Sequence, residues 1–170
     1  QERLAARWER MGVDVVIGNA KITSPWHVEI TGEDGAKRTL STRSIVIATG
    51  AAPFVPPLPG LNDVGFLTSD TLWGLREQPK RLVVLGGGPI GCELAQSFAR
   101  LGSQVTQIEM LPRIMIREDE EVSALARHAL EADGVAVLTG HKALRCEKRG
   151  DSKSIVVESG GVERAIEFDV

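Results

Sequence analysis

Leu82-Val83-Val84-Leu85-Gly86-Gly87-Gly88-Pro89-Ile90-Gly91-Cys92-Glu93 decides the fold of this chain. Four apolar residues run directly into G-x-G-x-x-G, and helix-compatible sequence follows at once. That order describes a strand, a tight glycine turn and a helix, the unit that holds a dinucleotide pyrophosphate. Glycine is frequent here (18 of 170 residues), so the triplet alone is weak and also fits a purely structural turn. The context strengthens it. Val105-Thr106-Gln107-Ile108 reads as a second strand and ends on Glu109. An acid about 20 residues past the loop is what a ribose site needs.

Each glycine has its own expected task. Gly86 turns the chain at the strand end, where a side chain is expected to clash. Gly88 leaves the backbone bare for a pyrophosphate, with Gly87 beside it in the cofactor-binding loop. Gly91, on the first helical turn, lets the helix pack close to the strand. Unpaired N–H groups and the positive end of the helix dipole favour phosphate there. Pro89 suits the first turn, because its missing N–H would have no partner anyway. Ile90, Leu94, Ala95, Phe98 and Leu101 share one helical face, and Gly102 ends the helix.

Glu109, with Met110 after it, is expected to accept hydrogen bonds from ribose hydroxyls and to repel a 2′-phosphate. NAD(H) is therefore expected over NADP(H). A solvated strand-end carboxylate is the competing reading. Arg113 and Arg117 follow on the same stretch and offer contacts to a phosphate, which pulls the other way.

The chain has 170 residues and a net charge of −3, which argues against a nucleic-acid partner. No apolar stretch reaches the roughly 18 residues that span a bilayer, and no secretory signal opens the chain. Cys92 and Cys146 form neither a C-x-x-C motif nor a zinc spacing. A reducing, cytoplasmic setting is expected. The chain opens on Gln1 and closes in an unfinished strand approach, so both ends read as internal cuts in a longer protein.

Residues 1–11 place Leu4, Trp8 and Met11 on one helical face, closed by Gly12. Strands are expected at Val13–Ile17, Trp26–Ile30 and Lys37–Leu40, with Glu33-Asp34-Gly35 as a hairpin turn. Ser44–Ala48 reads as a strand buried on both faces. The proline-rich stretch from Thr49 to Gly60 reads as an extended connection, and Thr68-Ser69-Asp70 caps a short helix. A helix opens at Glu118-Asp119-Glu120-Glu121, and Val135–Leu138 is the next strand. This is βαβαβ, a parallel doubly wound half-fold. Ala143–Glu147, Ser154–Glu158 and Val162–Phe168 read as an antiparallel meander.

Two motifs resemble the FAD-dependent pyridine nucleotide-disulfide oxidoreductases, a family that includes dihydrolipoamide dehydrogenase and mercuric reductase. One is Ile45-Val46-Ile47-Ala48-Thr49-Gly50-Ala51-Ala52-Pro53. The other is Gly86–Glu93 with its helix and Glu109. Pro56–Gly60, Thr68-Ser69-Asp70 and Arg117-Glu118-Asp119 are similar to the mercuric-reductase-like branch in particular. The resemblance implies that residues 1–52 are the C-terminal portion of a flavin-binding domain. It makes 53–79 a connection and 80–170 a truncated NAD(P)H-binding Rossmann domain. It implies hydride transfer from NADH to FAD and on to a cysteine pair, in a full-length homodimer. Ala48, Thr49 and Gly50 then match backbone near the flavin. Glu93 matches a glutamate that reaches toward a lysine beside the flavin, though a first-turn acid favoured by the helix dipole reads equally well.

The upstream FAD glycine motif and the redox C-x-x-x-x-C are absent from these residues, so none of them is assigned a catalytic role. Cys92 reads as a small buried apolar residue, and His27, His128 and His141 as isolated histidines. The fragment alone is expected to be inactive. An NADH oxidase or coenzyme A-disulfide reductase type of flavoprotein shares the same motifs. A non-catalytic nucleotide-binding module is the reading outside enzymology.

Overall fold

A computed structural model describes residues 2–170. The chain separates into two compact units, Gln1–Ala51 and Ala52–Val170. No helix among the described residues is long and apolar enough to cross a membrane.

The first unit opens with helix α1 (Glu2–Glu9), and Gly12 takes the left-handed conformation just after it. Trp8 and Met11 are largely exposed, at 43% and 65%, and the Leu4 side chain lies outside the described residues. Three strands follow: β1 (Asn19–Ser24), β2 (His27–Thr31) and β3 (Lys37–Ser41). They form an antiparallel sheet in that order, with Ile22 opposite Val28 and Val28 opposite Leu40. The expected turn at Glu33-Asp34-Gly35 is present. Gly35 N–H donates to the Gly32 carbonyl at 3.0 Å, and Asp34 Oδ1 accepts from Ala36 N–H.

Two expected strands of this unit are corrected. Val13–Ile17 and Ser44–Ala48 lie outside any ladder, and the first strand is Asn19–Ser24 instead. Val46 and Ile47 are 88% and 71% exposed, where burial on both faces was expected. The physical reason is pairing. A strand needs a neighbour for its N–H and C=O groups, and neither run has one within the unit.

The second unit is built around the glycine loop. Strand β4 (Arg81–Leu85) leads into helix α3 (Pro89–Arg100), then β5 (Gln104–Ile108), helix α4 (Glu120–Ala132) and β6 (Ala136–Leu138). The sheet order is β4-β5-β6 and every pair is parallel, as the βαβαβ pattern implies. Leu82 lies opposite Val105, and Leu85 opposite Ile108. Leu82, Ala95, Val105, Ile114, Leu130 and Val137 form the core beneath the helices. Each of the Leu, Ile and Val side chains contributes about 1.5–3 kcal/mol when fully buried.

A second antiparallel sheet, β7 (Lys142–Arg149), β8 (Ser152–Ser159) and β9 (Val162–Phe168), follows in the expected meander. Its inner face packs Ile155, Val157 and Phe168 against Leu61 and Val64. Those two residues belong to α2 (Leu61–Val64), a short helix inside the stretch expected to be an extended connection. The connection is also tied down by main chain, because Cys146 N–H donates to the Pro59 carbonyl at 2.8 Å. Beyond it, Thr68 precedes a short 3-10 turn at Leu72–Gly74, where a helix through Leu75 was expected.

Candidate dinucleotide-binding site

Strand β4 ends at Leu85, and Gly86 continues its ladder for one more bond, donating to the Ile108 carbonyl at 2.8 Å. Gly86 then turns with φ +108°, a region that side chains rarely adopt. A Cβ at Gly86 would meet open space. The expected steric clash is therefore corrected: glycine is needed there for its backbone angle. Close approach governs Gly91 instead, where any Cβ would run into the Gly86 carbonyl. A Cβ at Gly87 would crowd Glu109 and Ile114, whereas one at Gly88 would point into open space. That opening fits a phosphate at bare backbone.

Gly88 is the N-cap of α3, with extended backbone, and Pro89 occupies the first turn. The first intrahelical bond runs from Cys92 N–H to the Gly88 carbonyl at 3.0 Å. The N–H groups of Ile90 and Gly91 precede it, and helix geometry gives them no carbonyl of their own. They stand at the positive end of a twelve-residue helix, an arrangement that favours an anion.

Glu109 reaches the loop directly. Its Oε2 accepts from Gly87 N–H at 2.6 Å, and its Oε1 from Leu111 N–H at 2.8 Å. Its main chain is fixed as well: Glu109 N–H donates to Leu138, and His141 N–H donates to the Glu109 carbonyl. The carboxylate is thus oriented by two N–H groups, with lone pairs left over for hydroxyl donors. Met110 beside it is 62% exposed.

The stretch after Glu109 folds back over the loop. Met115 N–H donates to the Gly87 carbonyl at 2.6 Å, and Met115 adopts φ +47°, an uncommon angle for a side-chain-bearing residue. Arg113 holds this bend. Its guanidinium donates to the carbonyls of Glu118 at 2.9 Å, Ile116 at 3.1 Å and Met115 at 3.4 Å. Arg113 is therefore occupied with backbone, while Arg117 is exposed.

Two residues that the sequence pattern did not single out complete the floor. Ser123 Oγ donates to the Ile114 carbonyl at 2.7 Å in the buried layer. Gln107, fully enclosed on β5, donates from Nε2 to the Gly86 carbonyl at 3.0 Å. Gln107 follows Thr106 in a strand with three polar residues of five, so its burial carried no sequence signal. Cys92 is buried, and that burial pushes its thiol pKa up, with the Gln107 contact opposing. Glu93 is exposed on the first turn of α3. An apolar cavity of about 480 Å³ opens beside the loop, lined by Phe54, Leu72, Gly88, Ile90 and Leu94 among others.

The structure thus brings together Gly86, Gly87, Gly88, Pro89, Ile90, Gly91 and Glu109 within one unit. Ala48, Thr49 and Gly50 belong to the other unit, where all three are exposed.

Comparison with known proteins gives the family of the chain. The family described as pyridine nucleotide-disulphide oxidoreductase matches residues 2–170. The chain is 36% identical to the mercuric reductase of Staphylococcus aureus over 169 residues, covering 99% of this chain and 30% of that protein. It is 40% identical to the dihydrolipoyl dehydrogenase of Thermus scotoductus over 162 residues, covering 92% and 33%. The chain therefore spans about a third of the length of the curated relatives it matches. Among solved structures, the HOCl-induced flavoprotein disulfide reductase RclA of Escherichia coli superposes with a TM-score of 0.69 at 26% identity, covering 99% of this chain and 37% of that one. The water-forming NADH oxidase of Lactobacillus brevis, solved with NADH bound, shares the fold at a TM-score of 0.64 and 23% identity, covering 89% and 35%. On this sequence and fold evidence, the chain belongs to the pyridine nucleotide-disulphide oxidoreductase family.

Proposed function

We propose that this chain carries the NAD(P)H site of a flavin-dependent disulfide oxidoreductase, with residues 80–170 as the nicotinamide-nucleotide domain. One observation carries the reading: the strand-end carboxylate of Glu109 is bonded to the glycine loop through Gly87 N–H. In this reading Gly86, Gly87, Gly88, Pro89, Ile90 and Gly91 hold the pyrophosphate by main chain, and Glu109 takes the ribose hydroxyls, with Met110 flanking. Residues 53–79 connect to residues 1–52, the C-terminal portion of the flavin domain, where Ala48-Thr49-Gly50 approaches FAD. Glu93 stands exposed on the first turn of α3. A reduced nicotinamide, when bound, supplies a hydride that the flavin accepts and passes to a cysteine pair.

NADH is the preferred form in this proposal. Glu109 places negative charge where a 2′-phosphate would sit, and Arg113 spends its donors on three backbone carbonyls. The relatives' names support the redox class, and a mercuric-reductase-like or dihydrolipoamide-dehydrogenase-like homodimer is the whole protein proposed.

Titration with NADH, followed by its fluorescence, tests the reading. Saturable binding is expected, with NADPH weaker. Glu109→Ala is expected to weaken NADH about tenfold, the scale of one or two lost hydrogen bonds. A folded protein that binds neither NADH nor NADPH overturns it.

A further inference from the structure

Gln107 is a fully buried polar side chain beside an apolar layer. It lies on β5 between Val84 of β4 and Val137 of β6. Both neighbours pack in the layer of Leu82, Cys92, Ala95 and Val105. Gln107 itself is 0% exposed. A buried amide must recover the hydrogen bonds that it loses with water. This one recovers them at one end only. Nε2 donates to the Gly86 carbonyl at 3.0 Å and meets Cys92 Sγ at 3.5 Å. Oε1 has no partner. The bonded end of the amide is the one that faces the glycine loop.

We propose that Gln107 is a positioning residue for the dinucleotide, acting through the Gly86 carbonyl; this rests on the reading of the glycine loop given above. A trans peptide points its C=O and its N–H in opposite directions. With the Gly86 carbonyl drawn inward by Gln107, the Gly87 N–H of the same peptide faces away from the core. There Glu109 Oε2 accepts it at 2.6 Å. The next carbonyl, that of Gly87, accepts from Met115 N–H at 2.6 Å. Successive peptides are thus gripped from β5, from the strand-end acid and from the returning loop. The helix-start N–H groups of Ile90 and Gly91 are left uncommitted for a phosphate. Gly91 meets the same oxygen from above, because a Cβ there would strike the Gly86 carbonyl and lie 3.3 Å from Gln107 Nε2. The two residues act on one atom: Gly91 by leaving room, Gln107 by holding it.

The test compares the protein with Gln107→Leu and Gln107→Met, both apolar and of similar size. Three quantities are measured: affinity for NADH and for ADP-ribose, melting temperature, and hydrogen exchange at the Gly87 amide without ligand. Expected are about tenfold weaker binding of both ligands and faster Gly87 exchange in variants that remain folded. A merely structural amide would move these readouts differently, lowering the melting temperature and leaving the affinity of the folded protein intact. Folded variants with unaltered affinity and unaltered Gly87 exchange overturn the proposal. So does failure of both variants to fold, since the amide would then be a requirement of folding. If the unsubstituted protein binds neither NADH nor ADP-ribose, the glycine-loop reading falls instead. The exchange measurement still decides whether Gln107 holds the loop.

Discussion

Arg81–Leu85 and Ser44–Ala48 are both short runs rich in branched apolar residues, and each leads to a glycine of positive φ, Gly86 at +108° and Gly50 at +71°. They reach opposite states. The first is bonded along its length to β5, and Leu82 is 9% exposed. The second has no ladder, and Val46 is 88% exposed. Composition is nearly the same, so composition is not the cause. β4 is followed at once by a helix that covers it and by a strand that pairs with it, each within a few turns of chain. Ser44–Ala48 has neither within its unit. A branched apolar run states what a segment requires, and only its neighbours supply it.

The sharpest way to break this contrast is to shorten one side chain in each run. Leu82→Ala should destabilise the protein by about 2–5 kcal/mol, read as a lower urea midpoint, because it opens a cavity in the core under α3. Val46→Ala should stay within about 0.5 kcal/mol. A large loss at Val46 would mean that the exposed run is packed in solution, and the two runs would then cease to differ. A second attack falls on the exit of the paired run. Gly91→Ala should cost about 1–3 kcal/mol and weaken NADH more than it lowers stability, because the methyl group must displace the Gly86 carbonyl. Calorimetry with and without NADH separates the two effects, and equal losses in both would place the strain away from the ligand.

The smallest effect concerns the outer edge of β4. Asp169 N–H donates to the Arg81 carbonyl at 2.9 Å, and Val83 N–H to the Val170 carbonyl at 3.0 Å. The hydrogen bond from the Arg81 side chain holds the Asp169 carboxyl below the usual range. A lowered folded pKa gives stability that is present above about pH 4 and is lost as pH falls through the folded value. Asp169→Asn should therefore lower stability slightly at pH 7, by an amount that shrinks as pH falls below about 4. Urea midpoints across pH check this, and an unaltered profile would remove Arg81–Asp169 from the edge's support.

The second unit was legible in the sequence because its signals are local. Leu82–Leu85, the α3 face of Leu94, Ala95 and Phe98, and the acidic start of α4 each show their period within one element. The candidate site was half legible for the same reason. A glycine loop and a strand-end acid are motifs of spacing, but the bond between Gly87 and Glu109 is a fact of folding. Gln107 and Arg113 were not readable as supports of the loop, since each acts through main-chain carbonyls that carry no residue identity. β1 escaped notice because Asn19–Ser24 is largely polar and owes its strand state to pairing with β2. Val13–Ile17 misled for the converse reason, having strand composition without a partner.

The bond from Cys146 N–H to the Pro59 carbonyl bears on how this unit assembles. It joins residues far apart in the chain, and α2 beside it buries Leu61 and Val64 against β8 and β9. The connection cannot gain its buried contacts until the meander, which follows it in the chain, has arrived. Such closures set slow folding rates, because the entropy of bringing distant segments together is lost before any contact compensates it. The βαβαβ core has only short-range crossovers to complete. Refolding should therefore show the glycine loop ordered early, with the proline-rich connection docking afterwards as the meander closes over it.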